Sequence, residues 1–272
     1  MKKQKLFWFL VLLFGVAIIW LAIQHTNITH TDAFLVDVGL PTSPVDEQII
    51  RHAAIALSYS ELHEQARWVT YSLNPLRLGG KEERSDRFAA DQAVLTGSAA
   101  DSDYKKSGYD RGHLAPAADM SWSAVTMKES FFFSNISPQV PAFNRGVWKK
   151  LEETARRWAK QCDSVIVVTG PVFTDSLGVI GGNEVTVPSA FYKILLMFRG
   201  NDIVPAAFLM PNKKLEQELA SFVVSIDSIE ELTLVDFFSG LPNALETEVE
   251  ANKCVLLDGK VTHPVFRFKR AS

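Results

Sequence analysis

The chain opens on MKKQK and then runs through residues 6–23, LFWFLVLLFGVAIIWLAI, without one charged or strongly polar side chain. At about 1.5 Å rise per residue, such a run crosses most of a hydrocarbon core roughly 30 Å thick. The lysines on its leading side favour a cytoplasmic N-terminus. A cleaved signal peptide is the competing reading. The run is longer than a usual signal core, however, and the adjoining QHTNITHTDAF offers no small-x-small cleavage site. The expectation is a retained transmembrane signal anchor over residues 1–24 and a polar linker over 25–45 carrying Pro41 and Pro44, then one domain over 46–272. That domain would lie outside the cytoplasm, held to the membrane by the anchor, or be secreted if the segment is cleaved.

Within the domain the pattern changes repeatedly. RWVTYSL alternates apolar and polar positions and predicts a strand. Residues 79–100 mix turn residues and charges and predict an irregular surface segment. ESFFFSNISPQV predicts a short strand that stops at Ser137–Pro138. RGVWKKLEETARRWAKQ sets Val147, Leu151, Ala155 and Trp158 at helical spacing among charges, which predicts an amphipathic helix over 145–161. DSVIVVTGPVF, VTVPSAFYKILLMF and IVPAAFLMPN are continuous apolar runs and predict three buried strands. SIDSIEELTLVDFFSGLP repeats Ile229, Leu232 and Phe237 at helical spacing, with Ser228 as a candidate N-cap. No internal repeat or second domain boundary breaks this series. The fold class expected is α+β, with one central sheet and helices packed against it.

Composition adds one qualification. A net charge of −3, with 47% hydrophobic and 22% charged residues, is that of an ordinary globular chain and excludes a bulk nucleic-acid coat. Yet residues 104–160 hold ten Lys or Arg against five Asp or Glu, and residues 212–250 hold two against nine. A basic centre inside an acidic protein can hold a polyanion at one site, although uneven surface charge is the plainer reading. Cys162 and Cys254 either form a single disulfide or remain two buried thiols, and their spacing makes no zinc site.

There is no phosphate-binding glycine loop, no GxSxG nucleophile turn and no HExxH pair. What stands out is SGYDRGHLAPAADM. Asp110 and Arg111 are costly to bury alone, so they need partners or an open cleft. Gly112 removes a side chain beside His113 and so admits a bulky ligand to the backbone. A histidine near its intrinsic pKa can take a proton from water, and Arg111 can pair with a phosphate oxygen. Asp110 is expected to brace Arg111 or the loop. Further on, Asn144 stands at the expected start of a helix and Glu152 two turns along roughly the same face. An amide oxygen and a carboxylate suit a hard cation such as Mg²⁺, while an N-cap and a solvated glutamate are the plainer readings of the two.

YDRGHLAPAADM, FFFSNISPQV and PAFNRGVWKKLEE together resemble the DNA/RNA non-specific endonucleases, which include endonuclease G-like enzymes. The likeness covers about residues 57–238. It implies a mainly antiparallel central sheet flanked by helices and a ββα-metal (His-Me finger) site, cutting DNA and RNA held by their phosphate backbone. By the resemblance, His113 is the general base, Asn144 holds one Mg²⁺ (with Mn²⁺ as a substitute), Glu152 anchors the metal's water shell, and Arg111 meets the phosphate. Asn135 and Gln139 match positions that support the site. The family's upstream arginine falls on Arg87, with Arg84 as the alternative. Lys105, Lys106, Arg145, Lys149 and Lys150 are candidate backbone contacts, and a homodimer is one assembly open to the chain. Two other readings remain: an inactive binding module of this fold, and a phosphodiesterase for another exported phosphodiester.

Overall fold

The apolar runs of the sequence become the spine of one antiparallel sheet. In this computed structural model the residues described are 38–257, 260–263 and 265–267. The apolar segment 6–23 and most of the linker lie outside them. Among the described residues no helix is long and apolar enough to cross a membrane.

In chain order the strands are β1 (Gln48–Arg51), β2 (Ile55–Ser60), β3 (Gln65–Leu73), β4 (Asp110–His113), β5 (Ile136–Gln139), β6 (Ser164–Val172) and β7 (Val179–Ile180). They continue with β8 (Val185–Thr186), β9 (Ala190–Arg199), β10 (Asp202–Pro211), β11 (Val223–Val224), β12 (Val255–Leu257), β13 (Lys260–His263) and β14 (Phe266–Arg267). The large sheet runs β1-β2-β3-β6-β9-β10-β11, with β14 also on β10, and every pairing in it is antiparallel. Helices α1 (Asp101–Tyr104), α2 (Ala124–Glu129), α3 (Lys149–Ala159), α4 (Ile226–Thr233) and α5 (Asn243–Ala251) accompany it. The α+β architecture with a central antiparallel sheet is as expected.

Both sheet faces are covered, which is why its central strands read as unbroken apolar runs rather than alternating ones. On one face Val165, Val167, Leu195, Met197 and Phe208 share a core with Trp148, Leu151, Ala155 and Trp158. On the other, Tyr192 meets Phe237 with ring centroids 5.5 Å apart.

Several boundaries differ from the expected ones. β5 runs through Ser137–Pro138 instead of stopping there, pairing Pro138 with Arg111. VTVPSAFYKILLMF is two strands, because Pro188 separates β8, paired with β7, from the long β9. The N-cap of α4 is Ser225, whose hydroxyl accepts from the Ser228 amide. That helix stops at Leu234, which takes φ 56, so Phe237 packs from the turn beyond it. Cys162 and Cys254 are both buried and both free thiols.

Candidate active site

β4 and β5 form a separate two-stranded antiparallel sheet with His113 opposite Ile136 and Gly112 opposite Ser137. A Cβ on Gly112 would fall 2.3 Å from the side chain of Gln139. The glycine is therefore needed for the packing of the buried Gln139, and no ligand has to be invoked for it. Asn135 fixes the backbone just beyond the histidine. Its Oδ1 accepts from the Ala115 amide at 2.9 Å, and its Nδ2 donates to the Ala115 and Ser130 carbonyls at 2.9 and 2.8 Å. The amide is fully used on backbone, so Asn135 holds the end of β4 in place and does not face the cleft.

His113 is 8% exposed, edge-on to Phe131 at 4.8 Å and tilted against Phe88 at 5.6 Å. Among the described residues its Nε2 has no hydrogen-bond partner. Burial in this aromatic setting, reinforced by the Arg84 charge and opposed by Asp86, pushes its pKa down to about 3. The imidazole is neutral at ordinary pH.

After β5 the chain turns at Pro141, which starts the short helix Pro141–Phe143, its missing N–H being one that a first turn leaves unpaired anyway. Asn144 begins a wider π-type turn, Asn144–Trp148, in which Gly146 leaves helical geometry (φ −102, ψ −111) before α3 starts. This turn sets the orientation of Asn144, which is not an N-cap. Asn144 Nδ2 donates to Asp110 Oδ2 at 2.9 Å. Arg145 grips the same carboxylate with Nε at 2.8 Å and a terminal nitrogen at 2.6 Å. Asp110 thus braces the helix side of the site, not Arg111, and these donors hold its pKa below the usual carboxylate range against its own burial. Arg111 pairs instead with Asp101 at 2.6 Å and lies 5.5 Å from the Phe88 ring centroid.

These residues meet in one cleft of about 470 Å³. His113, Asn144 and Glu152 line it together, and Arg84, Arg111, Arg145, Lys149 and Arg156 surround them. The upstream arginine in the cleft is Arg84, whose guanidinium also sits 5.1 Å from the Phe131 ring centroid. Arg87 is exposed and does not line the cleft. Of the five proposed backbone contacts, Arg145 and Lys149 line it, while Lys105, Lys106 and Lys150 do not, and Lys150 pairs with Glu218 at 2.7 Å.

Two buried charges beneath the cleft, Lys193 and Asp119, were not singled out from the sequence. Lys193 is fully buried, donates to the Leu114 carbonyl at 3.3 Å and lies 4.8 Å from the Trp148 ring centroid. Asp119 accepts from Arg156 at 2.8 Å and from the Tyr71 hydroxyl at 2.9 Å. Burial raises the pKa of Glu152 and lowers that of Lys193, and their opposite charges moderate both shifts. The one available signal was a lysine interrupting the apolar run AFYKILLMF; burying it is tolerable only beside carboxylates and a carbonyl.

The site's donor chemistry suits a hard cation. With Nδ2 committed to Asp110, Asn144 has its amide oxygen left to offer, and Glu152 offers a carboxylate.

The chain is similar to known nucleases over most of this fold. A family model described as DNA/RNA non-specific endonuclease matches residues 35–244. Mitochondrial endonuclease G of Homo sapiens is 36% identical over 213 residues, spanning 73% of this chain and 71% of its own length. A nuclease from Nostoc sp. is 33% identical over 208 residues, spanning 72% of this chain and 75% of its own. A solved structure of the EndoG/EndoGI complex superposes with a TM-score of 0.71 at 28% identity, covering 77% of this chain and 91% of that one.

Proposed function

The chain belongs to the DNA/RNA non-specific endonuclease family, and from that premise we propose that it is a Mg²⁺-dependent endonuclease that hydrolyses phosphodiester bonds of DNA and RNA through His113. The observation that carries the reading is the cleft itself. A neutral imidazole, its Nε2 without a hydrogen-bond partner among the described residues, shares it with an amide oxygen, a carboxylate and five cationic side chains.

Each residue has a definite part. His113 keeps a ring lone pair free and accepts the proton of the attacking water. Asn144, oriented by Asp110, holds the cation, and Glu152 anchors its water shell. When bound, Mg²⁺ would neutralise charge on the phosphate and its departing oxygen, and Mn²⁺ suits the same oxygen donors. Arg84 and Arg111 flank the phosphate on the strand side, and Arg145 and Lys149 extend the positive rim along the neighbouring backbone. Such contacts read charge and spacing, not bases, which supports low sequence selectivity. The apolar residues 6–23 support anchoring to a membrane, with the nuclease domain outside the cytoplasm.

The test is cleavage of plasmid and of single-stranded RNA by the purified full-length chain, titrated with Mg²⁺ and with Mn²⁺. Cleavage of both substrates that stops on chelation is expected, and Asn144→Ala should need far more metal. Undiminished cleavage in excess chelator would overturn the metal assignment.

A further inference from the structure

The most acidic part of the sequence folds into a cluster that the nuclease chemistry does not use. Asp227 and Glu230 stand one turn apart on α4, and Glu246 and Glu250 one turn apart on α5. Asp236 lies in the connection between the two helices. Carboxylate oxygens of Asp227, Glu230 and Glu250 lie within 4.8 Å of one another, and so do those of Asp236, Glu246 and Glu250. Glu250 belongs to both groups. Like charges at one-turn spacing are unfavourable on an isolated helix, and here two such pairs face each other.

Among the described residues no lysine or arginine pairs with any of the five. The Phe237 amide, donating to Glu230 at 2.7 Å, makes the one hydrogen bond to their carboxylate oxygens among those residues. Glu250 is the sharpest case. It is 6% exposed, and its Oε1 is buried with no hydrogen-bond partner among the described residues. A buried carboxylate oxygen without a donor is expensive, and the neighbouring carboxylates raise that cost. A proton on Glu250 would relieve part of the repulsion. A divalent cation would neutralise more of it and give the orphaned oxygen a ligand to bind.

We propose that α4, the turn after it and α5 form a second metal site, for Ca²⁺, with Glu250 as the common ligand. Several carboxylates and no histidine or cysteine make a hard-oxygen set. Carboxylates from three separate segments suit the high and adaptable coordination of Ca²⁺ better than the strict octahedron of Mg²⁺. The site joins two helices outside the catalytic cleft, so its effect is on stability and not on cleavage.

The measurement is thermal unfolding and calorimetric titration of the full-length chain with Ca²⁺ alone, using the parent, Asn144→Ala and Glu250→Gln. Ca²⁺ at a few millimolar should raise the melting temperature of the parent and of Asn144→Ala by several degrees. In Glu250→Gln the rise should vanish and the affinity should fall at least tenfold. Metal-free Glu250→Gln should melt no lower than the metal-free parent, because burial and the neighbouring carboxylates already favour an uncharged Glu250 and the amide is uncharged as well, and it should cleave DNA with Mg²⁺ at the parent rate. If Glu250→Gln does not fold, the half-buried pair Asp227→Asn with Glu246→Gln takes its place, and loss of the Ca²⁺ response there supports the site. No response in the parent, an undiminished response in the carboxamide variants, or a response lost only in Asn144→Ala would each overturn the proposal.

Discussion

Asp110 shows how a single side chain can organise a site it was not expected to serve. Its sequence neighbours suggested Arg111 as its partner, yet its carboxylate reaches Asn144 and Arg145, 34 and 35 residues along the chain. Nothing local in DRGH signals such a contact, because it exists only once β4 pairs with β5 and the chain turns after Pro141. Asp110→Ala should therefore lower kcat about 10- to 100-fold, the usual cost of losing a ligand's orienting partner. The Mg²⁺ needed for half-maximal rate should rise with it, while the DNA KM moves little. A large KM change with normal kcat would instead make Asp110 a substrate contact. His113 gives a second residue-scale expectation. In the unfolded chain it takes a proton near pH 6.5, whereas the fold refuses it until about pH 3. Its folded pKa is depressed, so acid favours the unfolded state between those values, by up to ~1.4 kcal/mol per pH unit. Denaturant titrations at about pH 7 and about pH 4.5 should show the parent losing more stability than His113→Asn over that interval.

At the scale of elements, what the sequence revealed was what burial writes into it. The runs that became β6, β9 and β10 were legible because both faces of the sheet are covered and apolar residues fill nearly every position, whereas β3 was legible by its alternation. The helix carrying Leu151, Ala155 and Trp158 was legible because one face alone is buried, so its apolar residues recur at helical spacing among charges. Legibility failed where polar side chains, not apolar burial, decide the shape. Asn212, the last residue of the MPN run, reads in the sequence only as the end of a strand. In the structure its Oδ1 accepts from Val140 N at 2.8 Å, and its Nδ2 donates to the Pro138 and Pro188 carbonyls at 3.1 and 3.0 Å. It ties β5 to the turn that presents Asn144 and to the break between β8 and β9. Asn212→Ala strands three buried or half-buried backbone groups and should cost about 1–3 kcal/mol or more in equilibrium unfolding. Activity should fall further than stability alone explains, measured well below the melting temperature, because the metal side of the site loses its anchor.

Across the whole molecule, charge is sorted more sharply than the net −3 suggests. Five cationic side chains ring the cleft, while the acidic C-terminal region gathers its carboxylates around Glu250. Local counts along the sequence foresaw this division, although they could not tell the arginines and lysines of the cleft from those that merely solvate a surface. Phosphate binding through such a rim should weaken steeply with salt, and Arg145→Ala or Lys149→Ala should each flatten the log–log salt slope by about one. Lys105→Ala, away from the cleft, should leave it unchanged. The most direct measurement of the central claim is single-turnover cleavage of plasmid DNA with Mg²⁺ by the parent and by His113→Ala, with DNA binding measured on the same samples. Binding should be retained while the cleavage rate falls by about 10²-fold or more, the range expected on removing a general base. A His113→Ala protein that binds and cuts at the parent rate would contradict it.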